Sequence, residues 1–183
     1  MLQIVDLANE ENHIRQVAEL LKDGFSDTGT EAWQTIEECL KDVRDSLGDK
    51  KISRIALGAE KEMLGWAAGA PLYGNVTWEL EVIVVERGNR NKGIGSGLLG
   101  DFESEVKLRG GLNVFLGTDD ENFRTSIGGT ELYPDPLSHL SYLQNINQHP
   151  FEFYKKRGYT VVGVLPDANG IGKPDIFMSR RLT

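Results

Sequence analysis

The pattern of hydrophobic and polar positions in the first half of the chain predicts an opening strand, two helices and a pair of strands. The corresponding segments are a strand over 3–6, helices over 14–21 and 36–47, and strands over 52–60 and 63–72. In the helices apolar residues recur on one face, whereas the later segments are rich in strand-forming residues. Gly24 indicates the end of the first helix, and Thr30 is the N-cap that we predict for the second.

In the second half, the pattern predicts a strand, a helix and a strand that form one crossover unit, followed by shorter elements. The segments are strands over 78–85 and 114–116 around a helix over 94–106, then helices over 137–146 and 151–157 and strands over 160–165 and 176–181. Ile83, Val84 and Val85 run together as in a strand buried on both faces, so we expect that strand to be central. The crossover implies a parallel pair. The predicted class is α+β with a mixed sheet, rather than a doubly wound α/β fold.

Composition limits the kinds of function that are plausible. The chain has 183 residues, of which 39% are hydrophobic, and this length favours one domain spanning 1–183. The sequence contains no apolar run of about 18 residues and no signal-peptide pattern, so we expect a cytoplasmic protein without a membrane partner. A net charge of −8 argues against nucleic-acid binding and suits a small cationic partner, although many proteins are acidic simply to stay soluble. The three histidines and the single cysteine, Cys39, show no metal-ligand spacing, and we expect Cys39 to be a packing residue.

A glycine-rich turn, Arg90-Asn91-Lys92-Gly93-Ile94-Gly95, lies between the predicted central strand and its helix. Backbone amides at the start of a helix, together with the positive end of the helix dipole, favour an anion. Gly93 and Gly95 would allow close approach of a pyrophosphate, and Arg90 or Lys92 could add positive charge. A tight turn that merely needs glycine is the alternative interpretation.

The segment Gly95-Ser96-Gly97-Leu98-Leu99-Gly100 also matches the G-x-G-x-x-G fingerprint of dinucleotide-binding folds. In those folds the first glycine directly follows a strand. Here 86–92 intervene, so Gly95 would already lie inside the helix. We therefore disfavour a nicotinamide cofactor.

Two landmarks resemble the GNAT superfamily of N-acetyltransferases. Arg90, Gly93 and Gly95 match its R/Q-x-x-G-x-G/A signature, and 153–159 (Phe-Tyr-Lys-Lys-Arg-Gly-Tyr) match its Phe-Tyr helix followed by Gly and an aromatic residue. Further segments are similar to aminoglycoside 6′-N-acetyltransferases: 78–80, 116–120, 149–154 and 172–176. One departure is Glu81-Val82, where relatives carry His-Pro. The resemblance implies a mostly antiparallel sheet with one parallel pair flanked by helices, acetyl-CoA as cosubstrate, no metal, and a possible homodimer.

The resemblance also implies roles for individual residues. Glu79 matches the general base and Tyr154 the acid that serves the leaving thiolate, with direct transfer to the amine. The residues that it assigns to the cofactor are Ile83, Val84, Val85, Arg90, Asn91, Lys92, Gly93, Ile94, Gly95, Ser96 and Tyr154. The oxyanion is expected at a backbone amide near Val84 or Val85, where the strand should splay.

Acidic and aromatic residues are candidates for binding the acceptor. Glu79 and Glu81 should point to the same face of their strand, so they either line a wet cleft or are neutralised by a nearby Arg or Lys. Asp119 and Asp120 open the polar stretch 119–135, which is either an ordered loop that serves a site or a disordered one. Trp33 could form a wall for a sugar ring, as could Trp66, but a tryptophan is more often a core residue.

The leading hypothesis is therefore an enzyme that acetylates the 6′-amine of an aminoglycoside. One alternative is a GNAT enzyme acting on a protein N-terminus, a lysine or a polyamine. Another is a non-catalytic acyl-CoA sensor. A small cationic amine is the partner common to the enzymatic alternatives.

Overall fold

A computed structural model describes residues 2–182. Within that range the strands are β1 (Gln3–Asp6), β2 (Ile52–Leu57), β3 (Met63–Leu72), β4 (Thr77–Val85), β5 (Asn113–Asp119), β6 (Thr160–Leu165) and β7 (Asp175–Arg181). The α-helices are α1 (Ile14–Phe25), α2 (Ile36–Asp45), α3 (Ile94–Leu108), α4 (Pro136–Leu140) and α5 (Phe151–Lys155). The strand β5 is longer than predicted and includes Asp119, whereas α4 is shorter than the helix predicted over 137–146.

The strands follow the order β1-β2-β3-β4-β5-β7-β6, and β4 and β5 form the parallel pair. Two hydrogen bonds join the chain where these strands begin. The Leu112 amide donates to the Val76 carbonyl at 2.8 Å, and the Asn113 side-chain amide donates to the Thr77 hydroxyl at 3.4 Å. The pairs β1–β2, β2–β3, β3–β4 and β6–β7 are antiparallel. The predicted fold class, a mixed and mostly antiparallel sheet with flanking helices, is confirmed.

The chain divides into two compact units, and the first holds β1 to β4 and α1 to α3. Its residues are mainly Glu31–Val114 together with the segment that ends at Asp27. The helices α1 and α2 pack on β2, β3 and β4 through a core that includes Leu21, Cys39, Trp66 and Val84. Burial, followed by the nearby carboxylates of Asp42 and Glu38, raises the pKa of the Cys39 thiol. The prediction that Cys39 is a packing residue is confirmed.

The N-cap of α2 differs from the prediction. Thr35, rather than Thr30, caps the helix: its side chain accepts from the Glu38 amide, and the Glu38 carboxylate accepts from the Thr35 amide. This is a capping box, whose T-x-x-E pattern is present in the sequence. Thr30 lies outside the helix.

A β-bulge interrupts the pairing of β3 with β4. Ala68 is opposite Val82 and Gly69 is opposite Leu80, so Glu81 has no partner in the register. Val82 and Val84 belong to the core beneath α1 and α2. Because of this extra residue, the even-numbered side chains before Glu81 and those after it point to opposite faces of β4.

The second unit holds Thr28–Thr30 and Phe115–Arg181, and therefore most of β5 together with α4, α5, β6 and β7. Its buried apolar side chains include Leu116, Ile127, Phe151, Ile176 and Met178. The polar stretch after β5 is an ordered loop, and an isolated antiparallel β-bridge pairs Thr125 with Asn145. Of the two interpretations of that stretch, the ordered one agrees with the structure.

Candidate functional site

The bulge in β4 brings two carboxylates close to a lysine. Lys51, directly before β2, places its Nζ 3.3 Å and 3.4 Å from the two carboxylate oxygens of Glu81. Glu81 is exposed, whereas Glu79 is half-buried. Of the two alternatives for these carboxylates, neutralisation by a nearby cation therefore applies to Glu81. Sequence reasoning missed Lys51, because only the register of the folded sheet brings it to Glu81.

The environment of Glu79 favours its protonated form relative to a carboxylate in water. Burial raises the pKa of Glu79, the negative charge of Glu81 raises it further, and Lys51 lowers it. A carboxylate with a raised pKa is a stronger base than an ordinary one, provided that it is still ionised at the working pH. Glu79 therefore has the properties of a proton acceptor.

The end of β4 is less uniformly buried than its sequence predicts. Val84 is buried against the α1 and α2 core, whereas Ile83 and Val85 are only half-buried. A side chain on Gly24 in the last turn of α1 would overlap Val84. The close approach of α1 to β4 at this point requires glycine.

The turn after β4 has the backbone of an anion site. Asn91 and Gly93 have φ of +63° and +88°, and α3 begins at Ile94 with Gly93 as its N-cap. The N-cap residue Gly93 has no side chain to cap the helix. Alternating left-handed residues at a helix start aim successive N–H groups at one point. A Cβ on Gly93 would meet no atom within 4 Å, so the space before the turn is open.

The position of Gly95 settles the choice between two motifs. Gly95 and Ser96 lie in the first turn of α3, within Ile94–Leu108. A dinucleotide fingerprint would need Gly95 to follow a strand. The prediction that Gly95 lies inside the helix is confirmed.

The cations of the turn brace it against the rest of the first unit. Arg90 donates from Nε to the Val85 carbonyl and from Nη2 to the Gly24 carbonyl, each at 3.2 Å. Arg87 donates to the Asp23 carbonyl at 2.8 Å and pairs with Asp27 at 3.0 Å. Both guanidinium groups thus hold the turn to the end of α1. Sequence reasoning had not singled out Arg87.

Lys92 contacts its own turn in a similar way. Its Nζ donates to the Asn89 side chain at 2.9 Å. Glu86 accepts from the Gly88 amide and the Asn89 side chain, and these hydrogen bonds lower the pKa of Glu86. The turn is therefore held in place by contacts among its own side chains.

The two tryptophans proposed as walls differ in their surroundings. Trp66 is buried at 2% exposure and its Nε1 donates to the Ser53 hydroxyl, so it is a core residue. Trp33 is half-buried, with φ of +60°, its ring tilted on Phe25 at 4.5 Å and its Nε1 bonded to Asp42 at 2.8 Å. An unusual backbone conformation held by specific contacts is typical of functional positions. Trp33 remains a candidate for acceptor binding, and Trp66 does not.

In the second unit, Tyr154 lies in α5 among aromatic rings. Its ring centroid is 5.1 Å from that of Phe153 and 5.7 Å from that of Tyr159, and 7% of the residue is exposed. Burial raises the pKa of Tyr154 above its ordinary value. The hydroxyl is therefore a stable hydrogen-bond donor and a weaker acid than a phenol in water.

The two aspartates at the end of β5 have different surroundings. Asp119 is exposed and its carboxylate accepts from the Asn169 side chain. Asp120 is fully buried, and its oxygens accept from the Arg124 amide, the Thr125 amide and the Thr125 hydroxyl. Asp120 thus organises its own loop and is removed from the acceptor candidates. The two neighbouring aspartates therefore differ in burial, and the sequence does not indicate this difference.

No group of three or more His, Cys, Asp or Glu residues within residues 2–182 is arranged to hold a metal ion. No helix in the described part of the chain is long and apolar enough to cross a membrane.

The chain is similar to a family of known proteins and to several solved structures. Residues 14–126 match the model of the Acetyltransferase (GNAT) family. A structure of aminoglycoside 6′-N-acetyltransferase complexed with coenzyme A is 34% identical, over 99% of this chain and 96% of that one, with a TM-score of 0.87. The aminoglycoside 6′-N-acetyltransferase from Enterococcus faecium gives the same values. Aminoglycoside 6′-acetyltransferase type Ii is 30% identical over the same shares, with a TM-score of 0.72. No curated protein sequence matches the chain.

The anion turn can be tested with two glycine-to-alanine variants of the same segment. Gly93→Ala forces a side chain into a left-handed conformation and should lower the free energy of unfolding by about 1 kcal/mol or more. It should also weaken coenzyme A binding by about tenfold, as measured by calorimetry. Gly100→Ala in α3, whose Cβ would meet no atom within 4 Å, is the control. It should leave affinity unchanged and stabilise the helix by about 0.5–1 kcal/mol. Equal affinities for the two variants would contradict this account of the turn.

The charge balance around Glu79 can be tested by NMR titration of its carboxyl carbon. Glu81→Gln removes a repelling charge and should lower the pKa of Glu79, whereas Lys51→Met removes an attracting charge and should raise it. Lys50→Met, which removes the neighbouring lysine, should leave it unchanged. Shifts of the same sign for the first two variants would show that the three groups do not interact as described.

Proposed function

Since the chain belongs to the GNAT family of acetyltransferases, we propose that it transfers the acetyl group of acetyl-CoA to the 6′-amine of an aminoglycoside. The observation that carries the proposal is 34% identity to an aminoglycoside 6′-N-acetyltransferase over nearly the full length of both chains. The donor follows from the family and from the backbone of the anion turn. The acceptor is the proposed part.

The donor is proposed to bind along the end of β4 and the turn that follows. The start of α3 suits a pyrophosphate, because the positive end of the helix dipole lies there and a turn with two positive-φ residues can form an anion-binding concavity. The residues proposed to hold acetyl-CoA are Ile83, Val84, Val85, Arg90, Asn91, Lys92, Gly93, Ile94, Gly95 and Ser96. When bound, acetyl-CoA supplies an activated acetyl thioester. A backbone amide near Val84 or Val85 is proposed to stabilise the oxyanion.

Glu79 is proposed as the general base. An ammonium has no free electron pair, so the acceptor must lose a proton before its nitrogen can attack. The raised pKa of Glu79 improves its ability to take that proton, directly or through a water. Removing the carboxylate should therefore cost most where the amine is mainly protonated.

Tyr154 is proposed to serve the leaving sulfur. Because its pKa is raised, its hydroxyl is suited to donate a hydrogen bond to the thiolate rather than to surrender its proton completely. The sulfur then leaves as a thiolate and takes its proton from solvent, while the proton lost by the amine resides on Glu79. This modifies the simple acid role that the family resemblance implies for Tyr154.

The acceptor is proposed to be a cation with several amines. The net charge of −8 and the exposed carboxylates of Glu81 and Asp119 favour such a molecule. Trp33 offers an aromatic surface suited to a sugar ring. Glu81 is bonded to Lys51, so a substrate ammonium that uses Glu81 must compete with that lysine.

A panel of amines tests the proposal. Acetyl-CoA-dependent thiol release is measured with aminoglycosides that carry or lack a 6′-amine, with polyamines, and with peptides bearing a free N-terminus or a lysine. We expect turnover only where the 6′-amine is present, and we expect Glu79→Gln to lower it by about 100-fold. Turnover of peptides or polyamines alone would show that the acceptor is a different amine, whereas acetyl-CoA would remain the donor. Tight coenzyme A binding without turnover of any amine would identify an acyl-CoA sensor instead.

A further inference from the structure

His149 is a buried histidine at the start of α5, and its ring has two distinct hydrogen bonds. The residue is 2% exposed. Its Nδ1 accepts from the Phe151 amide at 3.2 Å, and its Nε2 is 3.0 Å from the Asp119 carbonyl oxygen. A carbonyl oxygen can only accept and an amide N–H can only donate. The ring is therefore neutral, with its proton on Nε2.

The backbone of His149 is fixed as firmly as its ring. The Asn145 side chain accepts from the His149 amide at 2.9 Å and donates to the His149 carbonyl at 3.0 Å. Asn145 in turn pairs with Thr125, which is bonded to the buried Asp120. His149 thus stands at the end of a chain of contacts that begins in the loop after β5.

These contacts connect the end of β5 to the helix that carries Tyr154. The Phe151 amide belongs to the first turn of α5, and Tyr154 lies at the end of that five-residue helix. A helix this short has little stability of its own, so its position depends on what holds its ends. On the other side of the His149 ring, Nε2 is hydrogen-bonded to the backbone carbonyl of Asp119.

We propose that His149 is a positioning residue that holds α5, and with it the Tyr154 hydroxyl, in register with the end of β5. The inference rests on the proposed function, in which Tyr154 stabilises the leaving thiolate. His149 does not touch the reacting atoms and acts only through the helix.

The charges that face the ring predict how it responds to pH. Burial lowers the pKa of His149, and the positive charge of Arg124 lowers it as well, while the Asp119 carbonyl and the carboxylates of Asp120 and Asp119 act in the opposite direction. The net effect keeps the ring neutral to a lower pH than a histidine in water. Protonation would place a second donor at Nδ1 against the Phe151 amide, so the anchor is present at neutral pH and is lost as the pH falls through the lowered pKa.

The first test is spectroscopic and independent of any substrate. In nitrogen NMR of the full chain, His149 should have a protonated Nε2 and an unprotonated Nδ1 at neutral pH, and should titrate below the usual range. His139 in α4 is the internal control. A ring protonated on Nδ1, or one that titrates like an exposed histidine, would overturn the inference.

The second test is a double-mutant cycle with Tyr154, run on the best acceptor in the amine panel. His149→Phe should lower kcat by about tenfold or more while leaving coenzyme A affinity unchanged. His149→Gln, which keeps one donor and one acceptor, should retain more activity and stands in if the Phe variant does not fold. In a Tyr154→Phe background neither change should lower kcat further. His139→Gln should have no effect in either background.

The outcomes separate this inference from the proposed function. Equal losses of kcat with and without the Tyr154 hydroxyl would mean that His149 does not act through Tyr154, and would overturn the inference alone. Full activity of Tyr154→Phe would overturn both the role of Tyr154 and the inference. If no aminoglycoside is acetylated but another amine is, the proposed acceptor is wrong. The double-mutant cycle of His149 and Tyr154 then remains valid with that other amine.

Discussion

The bulge at Glu81 is the constraint on which the first unit of this protein depends. Trp78, before the bulge, lies beneath the Arg109 guanidinium that follows α3, whereas Val82 and Val84 face the core of α1 and α2. An uninterrupted strand would place all three side chains on the same face. Gly69 makes the irregularity possible, because a side chain there would overlap the Glu79 carbonyl and the Phe102 ring. The extra residue therefore allows one strand to serve two helical layers in turn.

The functional groups of the first unit follow from that irregularity. Glu79 and Glu81 flank Leu80 at the bulge, next to Lys51, and their mutual repulsion contributes to the basicity of Glu79. The strand then continues into the anion turn, which Arg87 and Arg90 fasten to the carbonyls of the last turn of α1. A preorganised turn does not have to be ordered by its ligand, so less of the binding free energy is lost.

The sequence predicts most of the secondary structure and the backbone of the anion turn, because both depend on local patterns. The strand 78–85, the helix that begins at Ile94 and the short helix with Tyr154 are all present. The capping box at Thr35 could also have been identified, since Glu38 follows it by three residues. Thr30 lacks this pattern, because Trp33 stands three residues after it.

Features that depend on distant contacts could not be predicted. Nothing near Lys51 indicates Glu81 as its partner, and the period of two along β4 hides the bulge. Asp119 and Asp120 read as equivalent acidic residues, yet one is exposed and the other is enclosed by amides of its own loop. The contact of His149 with Asp119 spans 30 residues of chain, so no local pattern indicates it. The roles of Glu79 and Tyr154 and the 6′-amine as acceptor stay proposals.

The pH dependence of kcat/KM for two pairs of variants tests the central claim, that Glu79 beside the bulge is the general base. Glu81→Gln removes a charge that raises the pKa of Glu79, so the acid limb should move to lower pH relative to the unmodified enzyme. When Glu79 is already replaced by Gln, the same substitution should cause no such movement. An acid limb that moves equally in the Glu79→Gln background would contradict the account, because another group would then be the base.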